Sequence, residues 1–205
     1  MNAVLKALAL LVALAAIAGA SIFFWIGTRG LTAKATPGRL ETLVARTMRR
    51  LAIPRDAGNL KNPIALSPQI IDEGMAHYAD HCASCHANDG SGETELGLGM
   101  YPKPPDMRLA DTQALTDGEL FYIIENGVRL TGMPAWSTGT GEGRESTWHL
   151  VHFIRALPRL TPEQIEKMKG LNPRSPEEIR QQIEEERFLA GGPEKPAPPT
   201  SPHEH

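Results

Sequence analysis

The chemistry in this chain is concentrated in five consecutive residues, Cys82-Ala-Ser-Cys85-His86. Two thiols three residues apart fall within one helical turn, where each can add to a vinyl group on the same edge of a porphyrin. The imidazole that follows is then held beneath the ring, in position to become an axial ligand. C-x-x-C-H is the attachment signature of c-type haem, and the chain has only these two cysteines, so one haem c would consume both. Two competing chemistries exist for such a pair. A thioredoxin-like redox motif requires a βαβ setting, which the surrounding pattern lacks. A zinc site requires four ligands, for which His77 and His81 are the nearby candidates beside His86.

A second axial donor is sought downstream. Met133 lies 47 residues after His86, between Gly132 and Pro134, and a thioether on a stiffened loop suits the face of an iron opposite a histidine. A lone Met more often fills an apolar gap, and Met100 and Met107 compete for the role. Both come early in the intervening loop, from which the opposite face is hard to reach.

These donors need helices to hold them. Ser67-Pro68 caps a helix on which Ile71, Met75, Tyr78 and Cys82 share a face, ending at the first cysteine. The capping box Thr116-Asp-Gly-Glu119 opens a second helix that stops at Asn126-Gly127, just before the Met133 loop. A third helix carries Leu150, Val151, Ile154 and Leu157 on one face with Trp148 at its start, leaving His149 and His152 as exposed or half-buried structural residues. Thr161-Pro-Glu-Gln164 starts a further short helix bearing Ile165, Met168 and Leu171, which serve packing.

From about Ile71 to Leu157 the chain resembles class I cytochromes c, in particular the bacterial membrane-anchored monohaem type related to the cytochrome subunits of terminal oxidases. The matching residues are Gly74, Tyr78, Cys82-x-x-Cys85-His86, Asp89-Gly-Ser-Gly92, Pro102, Pro105-Asp-Met107, Asp117-Gly-Glu-Leu120, Ile124, Gly127, Gly132-Met-Pro-Ala-Trp136 and Trp148-x-x-Val-x-Phe-Ile154. The resemblance implies an all-α fold of short helices around one covalently bound haem, with the terminal helices crossing near the attachment site. It implies that the Pro105 carbonyl accepts a hydrogen bond from the second imidazole nitrogen of His86, orienting the ring. Tyr101 and Trp136 become partners for the haem propionates, with plain packing as the other reading. An iron ligated by His86 and Met133 has no open position, so the expected function is one-electron transfer without catalysis. The alternatives are a haem-based gas or redox sensor, in which Met133 is displaced, and a cytochrome subunit of a larger oxidoreductase complex.

The flanks divide the chain further. Residues 1–28 form a membrane anchor. Ala7 to Thr28 is uncharged and apolar, and a helix of that length spans the roughly 30 Å hydrocarbon layer. Phe23, Phe24 and Trp25 sit at the far end as an interfacial belt. Ala18-Gly19-Ala20 offers a cleavage site as the competing reading. Residues 29–66 are a connector with eight Lys or Arg against Glu41 and Asp56. Within it Leu40, Leu43, Val44, Met48 and Leu51 make one helical stripe. Either the stripe packs on the main domain, which is the favoured reading, or the helix lies on lipid head groups. Residues 67–157 are the haem domain and 158–190 a helical extension whose last helix, opened by Ser175-Pro176-Glu177-Glu178, lies on the surface. Residues 191–205 read as a disordered Pro-rich tail, with His203 and His205 as weak metal candidates.

Charge limits the partners. The whole chain is at −3, which argues against nucleic-acid binding. The 67–157 segment has five Lys or Arg and thirteen Asp or Glu, a formal −8, suiting redox donors and acceptors with basic or neutral docking faces. Lys6 lies before the anchor while Arg29, Lys34, Arg39 and Arg46 follow it, a bias that places the body of the chain in the cytoplasm. Haem c is attached outside the cytoplasm, so the resemblance implies a domain on the periplasmic side of a bacterial inner membrane, against that bias.

Overall fold

The computed structural model describes residues 2–191, and the tail histidines His203 and His205 lie outside them. Among the described residues there are ten α-helices, two 3-10 turns and no strand. In chain order the helices are α1 (Ala3–Arg29), α2 (Arg39–Ala52), α3 (Pro68–His81), α4 (Ala83–His86), α5 (Glu95–Leu98), α6 (Ala110–Gln113), α7 (Asp117–Asn126), α8 (Gly141–Ala156), α9 (Pro162–Lys169) and α10 (Pro176–Leu189). Ala57–Asn59 and Leu157–Arg159 are the 3-10 turns.

The core forms where α3 crosses α8. Tyr78 and Phe153 are fully buried and their rings meet at 5.1 Å, with Met75, Val151 and Leu150 around them. The crossing is close because Gly74 has no side chain. A Cβ there would stand 2.4 Å from the carbonyl oxygen of His149 and 2.9 Å from the Cβ of Phe153. α7 closes the third side through Leu120, Phe121 and Ile124, with Phe121 stacked on Trp148 at 4.1 Å between ring centres.

Several helix ends follow local chemistry. The Ser67 hydroxyl accepts from Ile70 N–H, and Thr116 and Glu119 form a reciprocal capping box on α7, each satisfying N–H groups that a helix start leaves unpaired. α8 departs from expectation. It begins at Gly141, capped by Thr140, so Trp148 lies in mid-helix. His149 is buried, its Nδ1 3.1 Å from Glu73, whereas His152 Nε2 bonds the Ile64 carbonyl.

The core also draws on residues either side of 67–157. Ile53 and Ala57 are buried before it and Met168 after it, and Asn62 donates to the Trp148 carbonyl at 3.0 Å. α10 buries nothing.

α1 is the one helix among the described residues long and apolar enough to cross a membrane, and none of it is buried in the protein. On α2 the expected packing is reversed. Leu40, Leu43, Val44, Met48 and Leu51 are 53 to 75% exposed, so the apolar stripe does not pack on the 67–157 segment. Other sides of α2 are engaged instead. Glu41 accepts from the Tyr101 hydroxyl and Arg46 pairs with Asp111.

Candidate haem site

Cys82 ends α3, and Cys85 and His86 occupy the single turn of α4, so the three donors share one bend of the chain. Ala87 closes the turn with φ 60° and ψ 158°, a sparsely populated backbone region that costs a non-glycine residue about 1–3 kcal/mol. The Tyr78 hydroxyl donates to the Ala87 carbonyl at 3.0 Å and secures it from the core side.

The state of the donors fits a covalently bound, histidine-ligated haem. Cys82 and Cys85 are unpaired thiols. Burial, with a smaller effect from Cys85, pushes the Cys82 thiol up to about 12. Burial pushes His86 down to about 4, so it is a neutral imidazole at ordinary pH, the form that ligates metals. His86 Nδ1 is shielded from solvent and has no protein partner, and a buried polar atom left so costs about 1–3 kcal/mol unless something else satisfies it. Among the described residues no group of three or more His, Cys, Asp or Glu could hold a metal ion, which removes support from the zinc reading.

The expected bond from His86 to the Pro105 carbonyl is not made, since Nδ1 is unpartnered. Pro105 is solvent-exposed, and the loop carrying it is held from the side. Arg108 donates to both Asp106 oxygens at 2.9 and 2.8 Å and to Asp89 at 2.7 Å. The guanidinium keeps the Asp106 carboxyl below its ordinary range. Met107 N–H bonds the Gly90 carbonyl and Gly92 N–H bonds the His86 carbonyl. This clamp escaped sequence reasoning, and only the short Asp-x-Arg spacing of 106 and 108 hinted at it.

Met133 sits half-buried on a loop hung from the end of α7. Trp136 N–H bonds the Ile124 carbonyl at 3.0 Å and Ser137 N–H the Glu125 carbonyl at 3.2 Å, while Val128 N–H bonds the Met133 carbonyl. These are carbonyls that a helix end leaves unpaired. Gly127, at φ 66°, lets the loop fold back, because a Cβ there would stand 2.6 to 2.7 Å from backbone atoms of Met133, Pro134 and Ala135. Trp136 lies edge-on to His81 at 5.4 Å, joining the Met133 loop to the last turn of α3. Tyr101 is bonded to Glu41. Met107 is buried in the core. Met100 is nearer the loop than its sequence position suggests, since a Cβ on Gly132 would meet its sulfur at 2.8 Å.

Residues 69–154 match the family model described as cytochrome c oxidase, cbb3-type, subunit III. This segment is similar to the class I c-type cytochromes related to terminal oxidase subunits. The chain is also 32% identical over 92 residues to the cbb3-type cytochrome c oxidase subunit FixP of Rhizobium meliloti (strain 1021). That stretch is 44% of this chain and 28% of the relative, so the match spans well under half of the relative's length. The match runs from the start of α3 almost to the end of α8, and so covers the crossing, the Cys82–His86 turn and the Met133 loop together.

Proposed function

We propose that the protein is a membrane-anchored monohaem cytochrome c that carries one electron at a time. Cys82 and Cys85 would hold haem through thioethers, and His86 and Met133 would be its axial ligands. The reading is carried by one observation, Trp136 of the Met133 loop packing against His81, the residue just before the C-x-x-C-H turn. Haem, when bound, supplies a one-electron Fe(III)/Fe(II) couple. The chain's residues do the rest. The neutral His86 ring donates a lone pair without first losing a proton. A Met133 thioether would favour the reduced state and raise the potential. With His86 and Met133 both holding the haem, no position would remain for a substrate, which supports a carrier and not a catalyst. Trp136 would lie at the propionate edge, whereas the Tyr101 hydroxyl is engaged by Glu41 and is not free to serve there.

Haem c attachment outside the cytoplasm supports a periplasmic domain on a single-pass α1 anchor, against the bias of the flanking charges. The likeness to an oxidase subunit supports a place beside a respiratory oxidoreductase, as a subunit or its immediate electron donor.

The test is the far-red sulfur-to-iron charge-transfer band of the oxidised holoprotein at neutral pH. We expect the band in the natural chain, its loss in Met133→Ala and its retention in Met100→Leu. Loss in Met100→Leu with retention in Met133→Ala would transfer the ligand role to Met100. No band in the natural chain, together with rapid carbon monoxide binding, would overturn the carrier reading in favour of a sensor.

A further inference from the structure

The reversed packing of α2 calls for an explanation. Helical geometry puts Thr42, Arg46 and Arg49 on one side and Leu40, Val44 and Leu51 on the opposite side, with Leu43 and Met48 as the edges of the apolar stripe. The first side faces the cytochrome domain. Arg46 pairs with Asp111, Thr42 is half-buried, and Arg49 Nε is shielded from solvent. Ile53, next on that side, is buried. The second side is apolar and bare.

We infer that this bare stripe lies in the head-group layer of an anionic bilayer, so that α2 straps the cytochrome domain flat against the membrane. Three observations select a lipid surface as the occupant. First, α1 ends at Arg29 and α2 begins at Arg39. The nine intervening residues reach at most about 30 Å when fully extended, so α2 is confined near the membrane that α1 would span. Second, Arg39 and Arg50 project from the Leu43 border of the stripe, with Lys34 and Arg55 beyond its ends, cations placed to meet the head groups of an anionic interface. Third, the five stripe residues form a continuous exposed apolar surface, which soluble domains rarely leave uncovered.

The strap fixes an orientation. α2 holds the loop between Tyr101 and Asp111, so that side of the domain is turned toward the bilayer. The domain is docked and not swinging on a tether. The inference rests on α1 being a retained anchor and is independent of which methionine ligates haem.

The test uses the full-length holoprotein in vesicles of phosphatidylcholine with phosphatidylglycerol. Nitroxide labels are placed at Leu43→Cys and Leu51→Cys, with Lys61→Cys as a solvated reference and the unsubstituted chain as the labelling control. All these positions are exposed, so folding is not at stake, and the haem spectrum verifies it. We expect the two stripe labels to be several-fold more accessible to oxygen, and several-fold less to a water-soluble nickel chelate, than the label at 61. Chelate accessibility equal to that at 61 overturns the inference. So does dipolar broadening between labels, which would put a second copy on the stripe. Alkaline carbonate extraction separates the two layers of the argument. Release of the chain overturns both the anchor and the strap, whereas retention with water-exposed stripe labels overturns the strap alone.

Discussion

Gly74 and His149 meet backbone to backbone: a Cβ on Gly74 would stand 2.4 Å from the His149 carbonyl oxygen. The two helices that carry most of the core touch at this point, so Gly74→Ala must spread α3 from α8. Overpacking of this kind costs typically about 1–3 kcal/mol. Thermal unfolding of the holoprotein should show a clear fall in Tm for Gly74→Ala. Gly141→Ala, at the first turn of α8 with nothing within 4 Å, should leave Tm unchanged or slightly raised. Equal effects would mean that the crossing is not tight.

A second weak point lies under the Met133 loop. Glu125 is buried, accepts from the Thr147 hydroxyl at 2.6 Å, and otherwise has only Arg144 at 3.8 Å. Thr147→Val keeps the shape and removes the donor, leaving a buried carboxylate underpaired. The expected loss is about 1–3 kcal/mol in denaturant unfolding. Glu125→Gln in the same background should recover part of it, because an amide is cheaper to bury than a carboxylate. A loss unaffected by the second change would place the cost elsewhere.

How much of this was legible in sequence depends on the range of the interaction. The ends of α3 and α7 were readable because Ser67 and Thr116 bond N–H groups three residues on. The start of α8 was not, since Gly-Glu-Gly-Arg-Glu has no apolar period and poor helix propensity, and only Thr140 marks its first turn. Periodicity revealed the stripe on α2 but not the direction it faces, which is settled by Glu41 and Arg46 finding partners 60 and 65 residues away. The Arg108 clamp on Asp89 and the Arg155 clamp on Asp117 are likewise pairs that only the folded chain brings together. The motif residues themselves were plain, because C-x-x-C-H is a local pattern. That Met100 comes up against Gly132 could not be read from spacing.

Acid should weaken the fold through His77. Burial comes first in holding its pKa below the ordinary 6.5. His81 and His149 add to this, and Asp80 opposes it. Above 6.5 the ring is neutral in both the folded and unfolded chain and contributes no pH dependence. As pH falls below 6.5 the unfolded chain takes up the proton first, so stability is lost until the folded-state pKa is passed. Denaturant unfolding at successive pH values should therefore show a fall through the weakly acid range that is smaller in His77→Asn. An identical pH profile in the variant would remove His77 as the source.

Electron exchange should respond to salt. The 67–157 segment has a formal charge of −8, and attraction between oppositely charged faces weakens as the screening length shortens, to about 10 Å at 0.1 M. With a basic redox partner in solution, the second-order rate of exchange should fall steeply with ionic strength. A rate indifferent to salt would show that the acidic surface takes no part in docking.

The way the Met133 loop hangs from α7 makes its release a cooperative event. Its hydrogen bonds are also the C-terminal ties of the helix, so the loop cannot swing away without fraying the turn that holds Ile124 and Glu125. Release of the loop and fraying of the helix become one transition with a shared barrier, so a haem ligand at Met133, as proposed, would be guarded by secondary structure as well as by its bond to sulfur.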